Sequence, residues 1–135
     1  MRKLLPLLLA LLIPLAACGD DGIGPYDAAA GTYILQTVDG SPLPVAVVSA
    51  GINYRLEVTA GQVTLNAGRS FSRSFTYRQT VSGNVTTETE ERTGTYVQSN
   101  GSLVLTYSDG DQVPGSLTGN ILTITAEGFQ FVFQK

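Results

Sequence analysis

The sequence predicts an all-β fold, an antiparallel up-and-down meander of about 8–10 strands that closes into a small barrel. Apolar residues alternate with polar ones at a period of two, and Tyr54, Leu56 and Val58 share one face in this way. Pairs typical of tight hairpins, such as Asn100-Gly101, separate the alternating runs. The region from residue 18 onward also contains fifteen Thr residues, which favour pleated strands over helices.

Residues 1–17 have the layout of a secretory signal peptide. Arg2 and Lys3 precede an apolar run, and small residues end that run just before Cys18. The run is shorter than the roughly 20 apolar residues that a membrane-spanning helix needs, and two prolines interrupt it. We therefore expect residues 1–17 to be removed.

The segment Leu15-Ala16-Ala17-Cys18 closely resembles the lipobox of bacterial lipoproteins. In that family the cysteine thiol receives a diacylglyceryl group, the signal is cleaved before the cysteine, and the new amine commonly takes an acyl chain such as palmitate. Two or more acyl chains anchor a protein stably to a membrane. The resemblance implies that Cys18 is lipidated and that the protein is held in the bacterial cell envelope. Gly19, which follows the cysteine, favours the outer membrane over the inner membrane.

Residues 18–30 are predicted to form the lipidated cysteine and a flexible tether, and residues 31–135 to form the barrel domain. The tether is rich in Gly, Asp and Ala and has no apolar periodicity. Its acidic residues could form a metal cluster, but the more common role of such charges is to keep a linker solvated.

Composition excludes several classes of function. The chain from Cys18 onward carries 6 basic and 11 acidic groups, a net charge of −5, and has neither His nor Trp. Without imidazole or a spare thiol, nucleophilic catalysis and Cys/His metal sites lack their usual groups, so we expect neither an enzyme nor a cofactor. An acidic chain without a basic cluster is a poor nucleic-acid binder. We also expect the protein to be monomeric.

Strands are predicted between successive turn signals. The segment after the Gly83-Asn84 pair is expected to bend near Gly94, and Pro114 should lie at a sheet edge, a bulge or a strand end because it has no amide proton. Closing into a barrel removes exposed edges, although an open sandwich fits the same alternation. The predicted strands are 32–38, 52–59, 62–66, 70–81, 85–98, 102–107, 111–118, 121–125 and 129–134.

Several short motifs resemble those of lipocalin-like domains in bacterial lipoproteins and favour the barrel. Gly31-Thr32-Tyr33 resembles the Gly-x-Trp opening of these domains, with Tyr in place of Trp, and Gly94-Thr95-Tyr96 repeats it. The segments 63–71 and 115–122 are similar to later strand-and-turn motifs of the same domains. The resemblance covers residues 31–135 and implies a small apolar or amphiphilic ligand.

Arg73 is an unusual residue because it shares strand parity with Phe71, Phe75 and Tyr77 and so points toward the core. A buried guanidinium needs water, a carboxylate or an anionic ligand. Either it reaches outward from the barrel mouth, or it anchors a ligand inside a cavity. Its expected salt-bridge partners are Glu57, Glu90 and Glu91.

Glu88, Glu90 and Glu91 form an acidic strip with neighbouring threonines. Carboxylates two residues apart on a strand could bind a hard cation such as calcium. The alternative interpretation is a solvated hairpin arm centred on Gly83-Asn84, with Arg78 opposite the acids.

Tyrosines on strands are either core residues or, if a cavity exists, its lining. The candidate ligand-binding residues are Tyr54, Arg73, Phe75, Tyr77 and Tyr107.

Two functions remain open. In the first, the barrel binds a small apolar or amphiphilic molecule in its interior or mouth. In the second, it is a structural or protein-interaction module of the envelope, similar to an inhibitor or adaptor. The second rests on residues 41–48, where two prolines beside a run of valines suggest a loop over a barrel end or an exposed patch.

Overall fold

The computed structural model describes residues 25–135, which form one short helix and ten strands. The helix is α1 (Pro25–Ala29). The strands are β1 (Gly31–Val38), β2 (Ser41–Pro42), β3 (Val45–Ala50), β4 (Tyr54–Leu65), β5 (Ser70–Val81), β6 (Asn84–Ser99), β7 (Ser102–Tyr107), β8 (Gln112–Thr118), β9 (Ile121–Ala126) and β10 (Phe129–Gln134).

Eight of the strands, β1 and β4 to β10, form a closed antiparallel barrel. Strands β4 to β10 pair in sequence order, β10 pairs with β1, and β1 pairs back with β4 over Gly31↔Leu65 to Ile34↔Gln62. The two extra strands, β2 and β3, lie beside β1 and β4. The predicted all-β, antiparallel, barrel-closing meander is therefore confirmed.

The core lies inside the barrel and follows the predicted alternation. In β7, Leu103, Leu105 and Tyr107 are buried while Ser102 and Val104 are exposed. Aromatic rings fill the centre, where the ring centroids of Phe75 and Phe131 are 5.0 Å apart. Burial of each such side chain stabilises the fold by about 1.5–3 kcal/mol.

One end of the barrel, here called the α1 end, is covered by the helix. Ala29 is fully buried, and the ring of Tyr26 packs against that of Tyr96 at 5.5 Å. Lys135 Nζ donates hydrogen bonds to the carbonyl oxygens of Ala28 and Ala30, each at 3.1 Å. Residues 25–30 thus differ from the flexible tether predicted for them. The predicted signal peptide (1–17), Cys18 and residues 19–24 lie outside the described residues.

Two predicted strands merge into one. Ala60-Gly61 was expected to separate 52–59 from 62–66, but β4 runs through both with a register shift between Val58 and Ala60. At Gly61 a side chain would meet the Phe75 ring at 2.5 Å, so this glycine permits close packing inside a strand.

The valine segment also differs from its predicted loop, because residues 45–50 form the edge strand β3. Val45 and Val47 are partly buried against the core, whereas Val48 is 44% exposed.

Pro114 lies at a local edge, as predicted, since it pairs with Val104 of β7 but β9 joins β8 only from Gly115. Within residues 25–135, no helix has the length and apolar character needed to cross a membrane.

Candidate functional site

Strands β4, β5 and β6 extend past the rest of the barrel at the end opposite α1. Pairing of β6 with β7 begins only at Gly94↔Tyr107, whereas its pairing with β5 continues to Val81↔Asn84. Residues 54–59, 76–81 and 84–93 therefore form a projecting arm, with β3 along its edge. On the opposite wall, β8 and β9 pair only from Gly115↔Ile124, which leaves their other ends apart.

Two adjoining pockets lie between this arm and the β9–β10 hairpin. The mouth pocket has a volume of about 420 Å³ and is lined by Val47, Val48, Tyr54, Leu56, Val58, Tyr77, Gln79, Glu88, Glu90, Glu127, Phe129 and Phe131. The side pocket has a volume of about 260 Å³ and is lined by Arg73, Phe75, Tyr77, Glu90, Arg92, Tyr107, Asp111, Gln112, Val113, Ala126, Glu127 and Phe131.

The mouth pocket has an apolar bottom and a charged rim. Val58 and Phe131 are buried and mark its deepest part. Phe129 and Tyr77 are half-buried and form its walls, and Glu127 is exposed at the rim. This arrangement suits a molecule with an apolar body and a polar end.

Arg73 connects the packed core with the two pockets. Its guanidinium donates a hydrogen bond from Nη1 to the Tyr107 hydroxyl and another from Nη2 to Glu90 Oε1, both at 2.8 Å. Its Cζ lies 4.6 Å from the centroid of the Phe75 ring, and its Nε is buried without a hydrogen-bond partner. The residue is only 8% exposed.

The inward direction predicted for Arg73 is confirmed. Of its three expected partners, Glu90 forms the ion pair, and Glu57 binds other arginines. Because Glu90 is half-exposed, the pair joins a buried cation to a carboxylate at the pocket rim.

Arg92 completes the side pocket. Its Cζ lies 3.8 Å from the centroid of the Tyr107 ring, on which the guanidinium stacks as a cation–π contact. Nη2 of Arg92 also pairs with Asp109 at 2.6 Å and with Asp111 at 3.6 Å.

The acidic strip forms one strand of the arm, but its predicted cross-strand partner is wrong. Arg78 lies opposite Thr87 rather than a glutamate, and its Nε donates to Glu57 Oε2 on β4 at 2.9 Å. The hairpin turns at Ser82-Gly83, one residue before the predicted pair. Among residues 25–135 no group of acidic side chains is arranged to hold a metal ion.

Nearby charged side chains affect Tyr77, which lines the wall of the mouth pocket. Burial raises the pKa of the Tyr77 phenol above its ordinary value; the Glu90 carboxylate raises this pKa further, Arg73 lowers it, and Glu127 raises it. Glu88 lies directly across the ladder from Tyr77 and so shares its face.

All five sequence-predicted candidates line the two pockets. Tyr54 and Tyr77 line the mouth pocket, and Arg73, Phe75, Tyr77 and Tyr107 line the side pocket. Other tyrosines lie elsewhere: Tyr33 and Tyr96 are buried toward the α1 end, where their hydroxyls donate to the carbonyl oxygens of Ala29 and Asn66.

Sequence reasoning missed the part of the lining that comes from β3 and the β9–β10 hairpin. Phe129 and Phe131 lie on the predicted strand 129–134 and Glu127 lies just before it, but none of the three is among the predicted candidates. Alternation along β4 places Leu56 on the same face as Tyr54, and this was the one sequence signal that could have added a residue to the candidate site.

Comparisons with known proteins add no relative: no family model, no curated protein and no solved structure matches this sequence.

Proposed function

We propose that this protein is a membrane-anchored cell-envelope lipoprotein with a lipocalin-like barrel that binds a small apolar or amphiphilic molecule. The mouth pocket carries the proposal. Its volume of about 420 Å³ falls within the roughly 300–1,000 Å³ typical of small-molecule sites. Its lining combines aromatic and aliphatic walls with a few polar groups, as such sites do.

The packing of the barrel supports a ligand in the mouth rather than in the centre. Phe75 lies between Phe131 and Phe133, at centroid distances of 5.0 and 6.1 Å, and these rings occupy the interior below the pocket. A bound molecule would therefore rest on Phe131 and Val58, with its polar end toward the rim. No step of this function needs a nucleophile or a cofactor, which agrees with a binding protein rather than an enzyme.

Lipidation of Cys18 would set the orientation of the barrel. Seven peptide units separate Cys18 from Pro25 and can span at most about 25 Å. Since α1 covers the end opposite the mouth pocket, an anchor on Cys18 would hold the α1 end toward the membrane. The resemblance to bacterial lipoproteins favours the outer membrane over the inner membrane. The mouth pocket would then face away from that membrane.

Binding of a neutral fluorescent probe tests the proposal. Residues 25–135 contain the whole barrel and its core, so a chain that begins at Gly19 keeps every described contact. N-phenyl-1-naphthylamine, which brightens in apolar surroundings, should bind with saturation. Leu56→Trp, which fills the mouth pocket, should abolish the signal, while Val104→Trp on the outer face should not. Absence of saturable binding to the unchanged chain would reject the proposal.

A second candidate is the protein-interaction module, and the tip of the arm favours it. Ile52 is fully exposed, Val85 is 59% exposed, and both line one shallow surface beside the β5–β6 hairpin. A photo-crosslinking amino acid at Ile52, introduced in cells of the source organism, should then capture one discrete protein. The same group at Val104 serves as the control, and equal capture at both positions would argue against the module.

A further inference from the structure

We propose that the mouth pocket selects ligands that carry a positive charge, namely cationic amphiphiles such as alkyl amines or quaternary ammonium compounds. The inference rests on the proposed binding function and names the class of ligand. Three carboxylates, Glu88, Glu90 and Glu127, line this pocket, and no Lys or Arg of the described residues does so.

One of the three carboxylates is already neutralised. Glu90 pairs with the buried Arg73 at 2.8 Å. Glu88 and Glu127 form no ion pair within residues 25–135, and both are exposed at the rim. A ligand that enters therefore meets a rim with two uncompensated negative charges.

Every cation in residues 25–135 other than Arg73 is engaged by groups other than Glu88 and Glu127, including Arg92, which lines the side pocket together with Glu127. Arg92 pairs with Asp109 and Asp111 and stacks on Tyr107. The others lie on the far face of the arm, where Arg55 and Arg78 share Glu57, or at the α1 end, where Arg69 stacks on Tyr26 and Lys135 caps α1. No described side chain forms an ion pair with Glu88 or Glu127, so a cationic ligand in the mouth pocket would meet both carboxylates unpaired.

The walls of the pocket suit the same class of ligand. Aromatic faces attract ammonium groups through their quadrupoles, and Tyr54, Tyr77 and Phe129 line the pocket between the rim and the apolar bottom. The pKa of Tyr77 is raised mainly by burial; Glu90 and Glu127 raise it further and Arg73 lowers it, so both carboxylates act on this wall. A ligand whose alkyl chain packs on Phe131 and whose ammonium group lies near Glu88 and Glu127 would contact both the apolar bottom and the charged rim of the pocket.

Exposed glutamates on an edge strand also have a simpler role, since charges discourage pairing with other chains. That role predicts no dependence of ligand affinity on ligand charge. Glu91 separates the two explanations because it lies on the same strand opposite Ser74, on the other face, and lines neither pocket.

Three ligands with one tail test the proposal: decyltrimethylammonium, decyl maltoside and decyl sulfate, each below its micelle concentration. Isothermal titration of the chain from Gly19 should give roughly tenfold tighter binding for the cation than for the maltoside, and weaker binding for the sulfate. Sodium chloride at 0.5 M should reduce the preference, because exposed charges are screened.

Glutamine variants then locate the effect. In the double variant Glu88→Gln/Glu127→Gln, the affinity for the cation should fall to within about twofold of the affinity for the maltoside. Glu91→Gln should leave the preference for the cation unchanged. The affinity for the maltoside should stay constant in all variants. Equal binding of all three ligands would overturn the charge selection but leave the binding function intact. If Glu91→Gln reduced the preference for the cation as much as Glu88→Gln measured as a single variant, the preference would depend on net charge alone and the proposal would be overturned too. If no ligand binds, the proposed function itself fails.

Discussion

Arg73 shows how a single polar residue limits the extent of the core. Its guanidinium is buried among Phe75 and Tyr107 and, within residues 25–135, is compensated by Glu90 and the Tyr107 hydroxyl. Burying a charge is costly unless it is paired, so the depth of Arg73 depends on the carboxylate at the rim. Arg73 thus lies inside the barrel and is connected to the pocket rim through its ion pair with Glu90, while its role as a ligand anchor stays a prediction.

Glu90→Gln should therefore lower the free energy of unfolding by about 1–2 kcal/mol, less than for a fully buried pair because Glu90 is half-exposed. Urea denaturation followed by circular dichroism measures this. Arg73→Met in the same chain removes the buried cation, so the double variant should recover at least half of the loss. A double variant as unstable as the sum of the single variants would show that the pair is not coupled.

Buried phenols make stability depend on alkaline pH. Burial raises the pKa of Tyr96 above its ordinary value of 10.0, and neighbouring Tyr26, Tyr33 and Asp27 raise it further. The folded state then retains a proton that the unfolded state loses above pH 10. The contribution to stability is complete below pH 10 and declines as the pH rises toward the folded-state pKa.

We expect the free energy of unfolding to fall between pH 10 and pH 12, as measured by urea denaturation at fixed ionic strength. Tyr96→Phe should reduce this slope, at a cost near neutral pH of about 1 kcal/mol for the lost hydrogen bond to the Asn66 carbonyl. Tyr54→Phe is the control, because Tyr54 lies in the mouth pocket away from this contact. An unchanged slope in Tyr96→Phe would contradict the assignment.

At the scale of elements, turns were predictable where two adjacent residues both favour positive φ. Asp39-Gly40, Asn100-Gly101 and Glu127-Gly128 all adopt positive φ at both positions. At the β5–β6 hairpin the pair is Ser82-Gly83 instead, because Gly83 takes the second position of the turn and Asn84 begins β6. The sequence signal locates a turn within a residue, and the ladder on either side decides its register.

Elements stabilised by tertiary contacts were less predictable. Helix α1 has only five residues, too few for a recognisable period, and depends on packing of Ala29 and Tyr26 and on hydrogen bonds from Lys135. Only part of the candidate site was predictable, for a similar reason. Strand parity indicates which residues face inward, but it does not indicate that the arm extends beyond the end of β7.

Gly94 marks the point where β6 leaves its second neighbour. A side chain at this position would meet the Thr106 carbonyl oxygen at 2.0 Å and the Phe71 ring at 2.8 Å. Backbone cannot move aside cheaply, so Gly94→Ala should lower the free energy of unfolding by about 2–3 kcal/mol. Thermal and urea denaturation measure this.

Gly68→Ala is the matched control for Gly94→Ala, because nothing lies within 4 Å of the added side chain and the backbone is not left-handed there. Its effect should stay within about 0.5 kcal/mol. An equal loss in both variants would contradict the contact with β7 as the cause, because the lower entropy of the unfolded chain with alanine acts in the stabilising direction at both positions.

At the scale of the whole molecule, the two ends of the barrel differ in what they can do. The α1 end is filled by Tyr33, Tyr96 and the helix, and the described chain begins there. The opposite end carries both pockets and the acidic arm. The proposed anchor and the proposed binding site, at opposite ends of the barrel, can therefore act independently.

This separation gives a prediction that links Cys18 to the pocket. Cys18→Ser removes the thiol that would carry the lipid, so an unprocessed or soluble precursor should accumulate in place of the normally fractionating membrane protein. Fractionation of source cells followed by immunoblotting measures this, and Gly19→Ser, one residue further on, is the control that keeps the thiol. With the signal of protein-free vesicles subtracted, affinity for N-phenyl-1-naphthylamine should differ less than twofold between the lipidated chain in vesicles and the chain from Gly19, because α1 and the packed core lie between anchor and mouth. Normal membrane fractionation of Cys18→Ser would refute lipidation, whereas a large change in affinity would refute only the independence of the two ends.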